Sequence, residues 1–194
     1  MNRAIFLDVD GVILNFAAPL ADYWNEGLKL NKWKGTPISG NPTSWSFGLD
    51  PMKDDMSELN RAIDIFHEDH EHLPLMHDNI CEVLCELSNN YHIELVSSYP
   101  DLNKRIDNLL HHDIPYDKLN CNINDKLGFI QSTNKEVVAI FEDGPHHIIK
   151  YLPHYPGKIW APNNWEYLKP FKSDDRIIFY DDPSEWIRLN DPDK

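Results

Sequence analysis

The sequence predicts an α/β protein: a Rossmann-like parallel sheet sandwiched by helices, with a small, mostly helical segment inserted after the first strand. Three observations carry this. Five short apolar runs recur along the 194 residues. Helical patterns lie between them. Polar residues with chemical potential sit where the runs end. Continuous apolar runs of this length fit strands covered on both faces. Strand–helix alternation brings such strands together in parallel.

The elements follow in order. The first run, Ala4–Leu7, leads into Asp8, Val9, Asp10 and Gly11. From about residue 16 to 74 the pattern changes. This stretch holds Trp24, Trp33 and Trp45, a middle rich in Pro, Gly, Ser and Thr (KGTPISGNPTSWSFG), and an amphipathic segment, Ser57–His67. Leu59, Ile63 and Phe66 share one side of that segment. Residues 16–74 are therefore expected to form a cap, and residues 1–15 and 75–194 the core. Asn79–Leu87 places Ile80, Val83, Leu84 and Leu87 on one helical stripe. Ile93–Ser97, in IELVSSYP, is the second strand. Leu102–Leu110 places Leu102, Ile106, Leu109 and Leu110 on the next helical stripe. Leu119–Ile123 is the third strand and Lys126–Ser132 a short helix. Val137–Phe141, in AIFEDGP, is the fourth strand, followed by a helix over His146–Leu152. Lys158–Trp160 is the fifth strand, and Ile177–Tyr180 adds a late one.

Composition bounds the function. Hydrophobic residues make up 41% and charged residues 26%, an ordinary soluble mix. No apolar stretch approaches the ~20 residues of a membrane span, so no membrane partner is expected. The N-terminal run meets Asp8 too soon for a secretory signal, so a cytoplasmic location is expected. The formal charge of −14 repels nucleic-acid backbones, so a nucleic-acid polymer is not an expected partner. Cys81, Cys85 and Cys121 lack the spacing of a disulfide framework and are expected to be buried thiols. His67, His70, His72 and His77, in HEDHEHLPLMH, match no zinc spacing and read as an acidic helix end. His146 and His147 read as the start of a helix, and Asp181–Asp182 as a surface turn.

The residues at the strand ends point to one chemistry. Ligands of open α/β sheets collect at the carboxyl ends of the strands. Asp8 and Asp10 lie there after strand one, Ser97 and Ser98 after strand two, and Glu142 and Asp143 after strand four. Lys126 opens the helix before strand four; Lys135, nearer Glu142 in sequence, is its competitor. Carboxylates at Asp8, Asp10 and Asp143 cannot crowd together without a cation, and hard oxygen donors favour Mg²⁺. A carboxylate beside such an ion can act as an in-line nucleophile. A second carboxylate two residues on can protonate the leaving oxygen and then activate water. A lysine and hydroxyls can hold phosphoryl oxygens. Gly11 lets the backbone turn closely around them. This is the equipment of phosphoryl transfer.

DVDGV, LVSS, Lys126 and FEDGP resemble, in that order, the four motifs of the haloacid dehalogenase superfamily. The resemblance covers roughly residues 1–15 and 75–162, and Asp10 is similar to its phosphatase branch. It implies that Asp8 is the nucleophile, Asp10 the general acid/base, Ser97 a phosphoryl ligand and Lys126 the third-motif lysine. It also implies that Asp143 binds Mg²⁺ with Asp8 and the Asp10 carbonyl. Glu142 stands where Asp is commoner and is a further candidate ligand. A narrower resemblance is to the 5'(3')-deoxyribonucleotidases, because DVDGVILNF looks like their first motif. There Phe16 matches the aromatic that lines the nucleobase pocket, and Trp45 and Phe47 of SWSF offer further base contacts. The implied substrate is a small nucleoside monophosphate. A sugar phosphate, a polynucleotide 3'-phosphate and a non-catalytic Mg²⁺- and phosphate-binding role are the alternatives at this point.

Overall fold

The computed structural model describes residues 3–49, 54–70 and 72–190. The expected core and cap ranges also take in residues 1, 2, 50–53, 71 and 191–194, which lie outside the described residues. Six strands form one sheet: β1 Arg3–Leu7, β2 His92–Val96, β3 Lys118–Asn120, β4 Glu136–Phe141, β5 Lys158–Pro162 and β6 Ile177–Tyr180. Their order is β3-β2-β1-β4-β5-β6, and every pairing is parallel. The helices are α1 Ala17–Lys29, α2 Asp54–Asp69, α3 Ile80–Ser88, α4 Leu102–His111, α5 Lys126–Gln131 and α6 Pro145–Tyr151. Two 3₁₀ segments, Glu166–Phe171 and Pro183–Asn190, follow β5 and β6. The order of strands reverses beside β1, so a crevice opens between the carboxyl ends of β1 and β4.

The first strand shows why the sheet is buried on both faces. Ile5 and Leu7 enter one apolar core and Ala4 and Phe6 the other, as the two-residue period of a strand requires. The Asp8 N–H donates to the Phe141 carbonyl at 2.9 Å and makes the last rung between β1 and β4. The chain then turns sharply. Gly11 N–H donates to Leu14, and Ile13 and Leu14 N–H both donate to Val9. Gly11 has φ +79°, which a side chain resists.

The 16–74 segment leaves and returns through one stem. Asn15 N–H donates to Pro74 and Met76 N–H to Ile13, each at 2.8 Å. Within it, α1 buries Ala17, Leu20, Ala21, Trp24 and Gly27. Trp24 and Trp33 stack with planes 4° apart. A Cβ at Gly27 would sit 1.7 Å from Trp33 Nε1, so glycine is what admits that ring. Asn25 donates to and accepts from Ile38, which ties the Pro/Gly-rich middle to α1. α2 buries Leu59, Ala62 and Phe66, and Phe66 packs on Phe16 and Tyr23.

Three expectations need correction. β3 stops at Asn120, because Asn122 takes φ +58° and turns the chain. The cysteines are free but not buried: Cys85 is exposed, and Cys81 and Cys121 are half-buried. In α3 the inward stripe is Ile80, Val83, Leu84 and Leu87, which leaves Cys85 outside. Helix α4 is rotated from its expected face. It buries Arg105, Asn108 and Leu109, while Leu102 and Leu110 are 47% and 62% exposed. Polar partners set this rotation: Asn108 Oδ1 accepts the Leu73 N–H at 2.6 Å, and Arg105 meets Asp10. The rotation is testable by urea unfolding. Asn108→Ala leaves the Leu73 N–H without that acceptor and is expected to cost ~1–3 kcal/mol. Leu110→Ala, on the wet face, is expected to cost less than ~0.5 kcal/mol. The reverse order would contradict the observed face.

Candidate active site

The carboxyl edge of the sheet brings Asp8, Lys126, Glu142 and Asp143 together. Lys126 Nζ lies 2.6 Å from Asp8 Oδ2 and 3.1 Å from Glu142 Oε2, with only 2% of its side chain exposed. The start of α5 sets it there, because Asp125 caps the helix by accepting the Gly128 N–H. Lys135 instead pairs with Glu94 at 2.7 Å. Structure therefore separates the two candidate lysines.

Glu142 is fully engaged. Its Oε1 accepts the Gly144 N–H at 2.9 Å, and its Oε2 receives Lys126 and the Tyr151 hydroxyl. Asp143 is not. Its Oδ2 accepts the Tyr167 hydroxyl at 3.0 Å, but its buried Oδ1 has no partner. Gly11 allows this approach, since a Cβ there would lie 2.0 Å from Asp143 Oδ2.

Three carboxylates around one ammonium leave excess negative charge in a desolvated place. Burial pushes the Asp8 carboxyl up to about 7; Lys126 opposes the rise and Glu142 adds to it. Asp143 is raised well above the usual carboxylate range by burial, then by Asp8 and Glu142. Burial works against the Lys126 ammonium, but Asp8 and Glu142 outweigh it and raise its pKa. One oxygen from each of Asp8, Glu142 and Asp143 lies within 4.8 Å of the others, the spacing of a metal-ligand set. Hard oxygen donors, the unpartnered Asp143 Oδ1 and the unfavourable ionisation all fit a divalent cation such as Mg²⁺. Among the described residues, His67, His70, His72 and His77 join no such set.

A cavity of about 1150 Å³ opens over this cluster. The core side supplies Asp8, Asp10, Gly11, Ser98, Tyr99, Lys126, Asp143 and Tyr167, and the 16–74 segment supplies Phe16, Trp45, Phe47, Met56, Ile63 and His67. Ser98 lines the cavity and donates to the Ile123 carbonyl at 3.1 Å. Ser97 does not line it: this side chain is wholly buried, and its hydroxyl accepts the Tyr99 N–H. The alternation of side chains at the strand end gives the cavity to the second serine. The Asp10 carboxylate also departs from expectation. It stands outside the acidic set and pairs with Arg105 Nη2 at 2.5 Å.

The three aromatic candidates all line the cavity. Phe16 stacks on His67 with ring centres 5.2 Å apart, and burial keeps that imidazole below its ordinary pKa. Trp45 is 48% exposed and lies against His146 and, edge-on, Tyr167. Phe47 lies beside them at φ +56°. Sequence reasoning missed Arg105, Tyr99 and Tyr167. Only Arg105 carried a signal, its i, i+3, i+4 relation to Asn108 and Leu109. Tyr167 follows β5 and reaches the site through topology alone.

Several solved structures share the fold of this chain. A haloacid dehalogenase-like family hydrolase from Streptococcus pneumoniae superposes with a TM-score of 0.65 at 18% identity, covering 96% of this chain and 97% of that one. A predicted phosphoglycolate phosphatase from Haemophilus somnus gives 0.63 at 14% identity, with 96% and 97% covered. The fold is that of the haloacid dehalogenase-like hydrolases. A third such hydrolase, from Deinococcus radiodurans and holding phosphate and sodium, gives 0.60 at 10% identity, with 97% and 95% covered. No family model and no curated protein matches the sequence. The haloacid dehalogenase fold expected from the four motifs is thus present across the described chain. None of its helices among the described residues is long and apolar enough to cross a membrane.

The raised carboxyls give a pH prediction. A carboxyl at about 7 in the folded protein, against 3.8 ordinarily, stabilises the metal-free fold while protonated. That contribution is whole below the unfolded value and is lost as pH rises through about 7. Mg²⁺ competes with the proton, so the Mg²⁺-induced rise in Tm should be small near pH ~5 and reach a plateau above pH ~8. Thermal melts with Mg²⁺ and with EDTA across this range measure it. A shift independent of pH would contradict the assignment.

Proposed function

We propose that this protein is a Mg²⁺-dependent phosphomonoester hydrolase acting through an aspartyl-phosphate, with a small nucleoside monophosphate, best a deoxyribonucleotide, as substrate. The observation that carries the chemistry is the buried Lys126–Asp8 pair at the carboxyl end of β1, flanked by Asp143 and open to a large cavity. The phosphate held by the Deinococcus radiodurans neighbour supports the same chemistry.

In this reading an Asp8 oxygen attacks phosphorus in line with the ester oxygen. The P–O bond to the alcohol breaks, and Asp10 gives its proton to the departing oxygen. Water then attacks the phosphorus of the aspartyl-phosphate. Asp10 takes the water proton, Asp8 is released and inorganic phosphate leaves. Lys126 and Ser98 hold the phosphoryl oxygens as charge moves. Asp8, Asp143 and the Asp10 carbonyl, with Glu142 alongside, would hold Mg²⁺, which when bound neutralises the phosphoryl group. Glu142 also anchors Lys126. Residues 16–74 act as the cap that closes over the alcohol.

The cavity wall supports the substrate class. Phe16, Trp45, Phe47 and Tyr99 offer flat apolar faces. Among the described residues, the lining lysines are Lys126, at the phosphoryl end, and Lys104. The Lys104 ammonium already donates to the His67 and Glu68 carbonyls, which cap the end of α2. With Asp64, Glu68 and Asp101 also lining the cavity, the wall suits a neutral flat group better than a second anion. The charge of −14 disfavours a polymer.

Phosphate release from nucleotides and sugar phosphates tests the reading. EDTA should abolish turnover and Mg²⁺ restore it, and Asp8→Asn should be inactive. Full activity in chelator, or in Asp8→Asn, contradicts the mechanism. Phe16→Ala, shown folded by circular dichroism, should lower kcat/KM for nucleoside monophosphates by about ten- to a hundredfold, as loss of base stacking implies. A small aryl phosphate should lose much less. Equal loss for both would remove the base contact and leave the phosphatase.

A further inference from the structure

Arg105 lies on α4, outside the four motifs, yet it is the group nearest the Asp10 carboxylate. Its side chain is 2% exposed, and its Nη2 meets Asp10 Oδ2 at 2.5 Å. The Tyr99 ring, which lines the cavity as Asp10 does, lies 4.6 Å from the guanidinium carbon and covers the arginine side of the pair. Arg105 Nε and Nη1 have no partner, and neither has Asp10 Oδ1. Among the described residues, Asp10 is the one carboxylate paired with Arg105.

Stability does not account for this arrangement. Arg105 is the buried partner and Asp10 is 28% exposed, and an ion pair whose buried side keeps unmet donors gains little over an apolar contact of the same volume. Here three polar atoms forgo partners so that one contact can be made. What the contact does is fix the rotamer of a carboxylate whose backbone turn is already held by its own hydrogen bonds. Asp10 sits between Val9 and the positive-φ Gly11. Proton transfer needs its oxygen within ~2.6–3.2 Å of the ester oxygen, a tolerance that free rotation would defeat. Arg105 is itself held in place, with its backbone N–H bonded to the Asp101 carbonyl at 3.1 Å, its side chain 2% exposed and its head packed on Tyr99.

We infer that Arg105 is a positioning residue that acts through Asp10, aiming its carboxyl group at the leaving oxygen. The inference rests on the phosphatase reading above. It is distinct from a substrate-binding role, since Arg105 lies behind Asp10 and Tyr99 and does not line the cavity.

The test compares Arg105→Met, Arg105→Lys, Asp10→Asn and the Asp10→Asn/Arg105→Met double variant. Each is checked for folding by circular dichroism and assayed with p-nitrophenyl phosphate and a nucleoside monophosphate. A phenolate with a low pKa departs with little help, whereas an alkoxide needs the proton. Arg105→Met should lower kcat for the nucleotide by about ten- to a hundredfold, part of what a general acid supplies, with KM nearly unchanged. The loss for p-nitrophenyl phosphate should be clearly smaller. Arg105→Lys should recover part of the loss, and Arg105→Met should cost nothing more once Asp10 is Asn. Equal losses for the two leaving groups, or a full further loss in the Asp10→Asn background, would overturn the inference and leave the phosphatase reading intact. If Arg105→Met does not fold, Arg105→Lys decides by the same leaving-group comparison. A wild-type protein that releases no phosphate from any ester overturns both.

Discussion

The contact between Lys126 and Asp8 organises everything around it. An ammonium with 2% exposure persists only beside carboxylates, and it has two, Asp8 at the end of β1 and Glu142 at the end of β4. These strands are neighbours, so the pair bridges the place where strand order reverses. Glu142 is in turn held by Tyr151 of α6 and by the Gly144 N–H. One cation thereby ties the ends of two strands to α5 and α6. Removing one partner of such a buried set typically costs ~3–5 kcal/mol. The same contact leaves Asp8 at the cavity with a cation beside it, which is the condition a carboxylate nucleophile needs.

The acidic site is linked to the 16–74 segment by aromatic rings. Tyr167 donates to Asp143 and stacks with Trp165, whose indole N–H reaches the Gly11 carbonyl at 3.3 Å. Trp45 meets Tyr167 edge-on from the other side. A loop far from the core in sequence therefore touches the residue that orients a candidate metal ligand. α4 and the loop before it grip the other end, through Lys104 and Tyr99, which donate to the end of α2. The segment is held at both edges of the cavity while the stem at Asn15 and Pro74 keeps its ends together.

Much of this was legible in the residues because it is local. Apolar runs ending in carboxylates read directly as strand ends, and Asp8, Asp10, Lys126 and Asp143 all reach the cavity. Lys126 is preferred to Lys135 because it opens the helix before β4, where the resemblance puts the third-motif lysine. What was not legible depends on partners distant in sequence. The face of α4 is not legible because leucines usually face inward, whereas here Asp10 and Leu73 draw Arg105 and Asn108 in. Ser97 and Ser98 differ by one position, and a strand's two-residue period decides which reaches the cavity. Cys85 shows the same limit on a helix, one position from Leu84 but facing water.

The claim that most of this account stands on is that Asp8 carries the phosphoryl group during turnover. Acid-quenching the protein during hydrolysis of a nucleoside monophosphate, followed by peptide mass spectrometry, tests it directly. The account predicts a phosphoryl adduct on Asp8 that survives acid, is lost on treatment with base or hydroxylamine, and is absent from Asp8→Asn. Steady turnover with no adduct there, or an adduct on another residue, would contradict it.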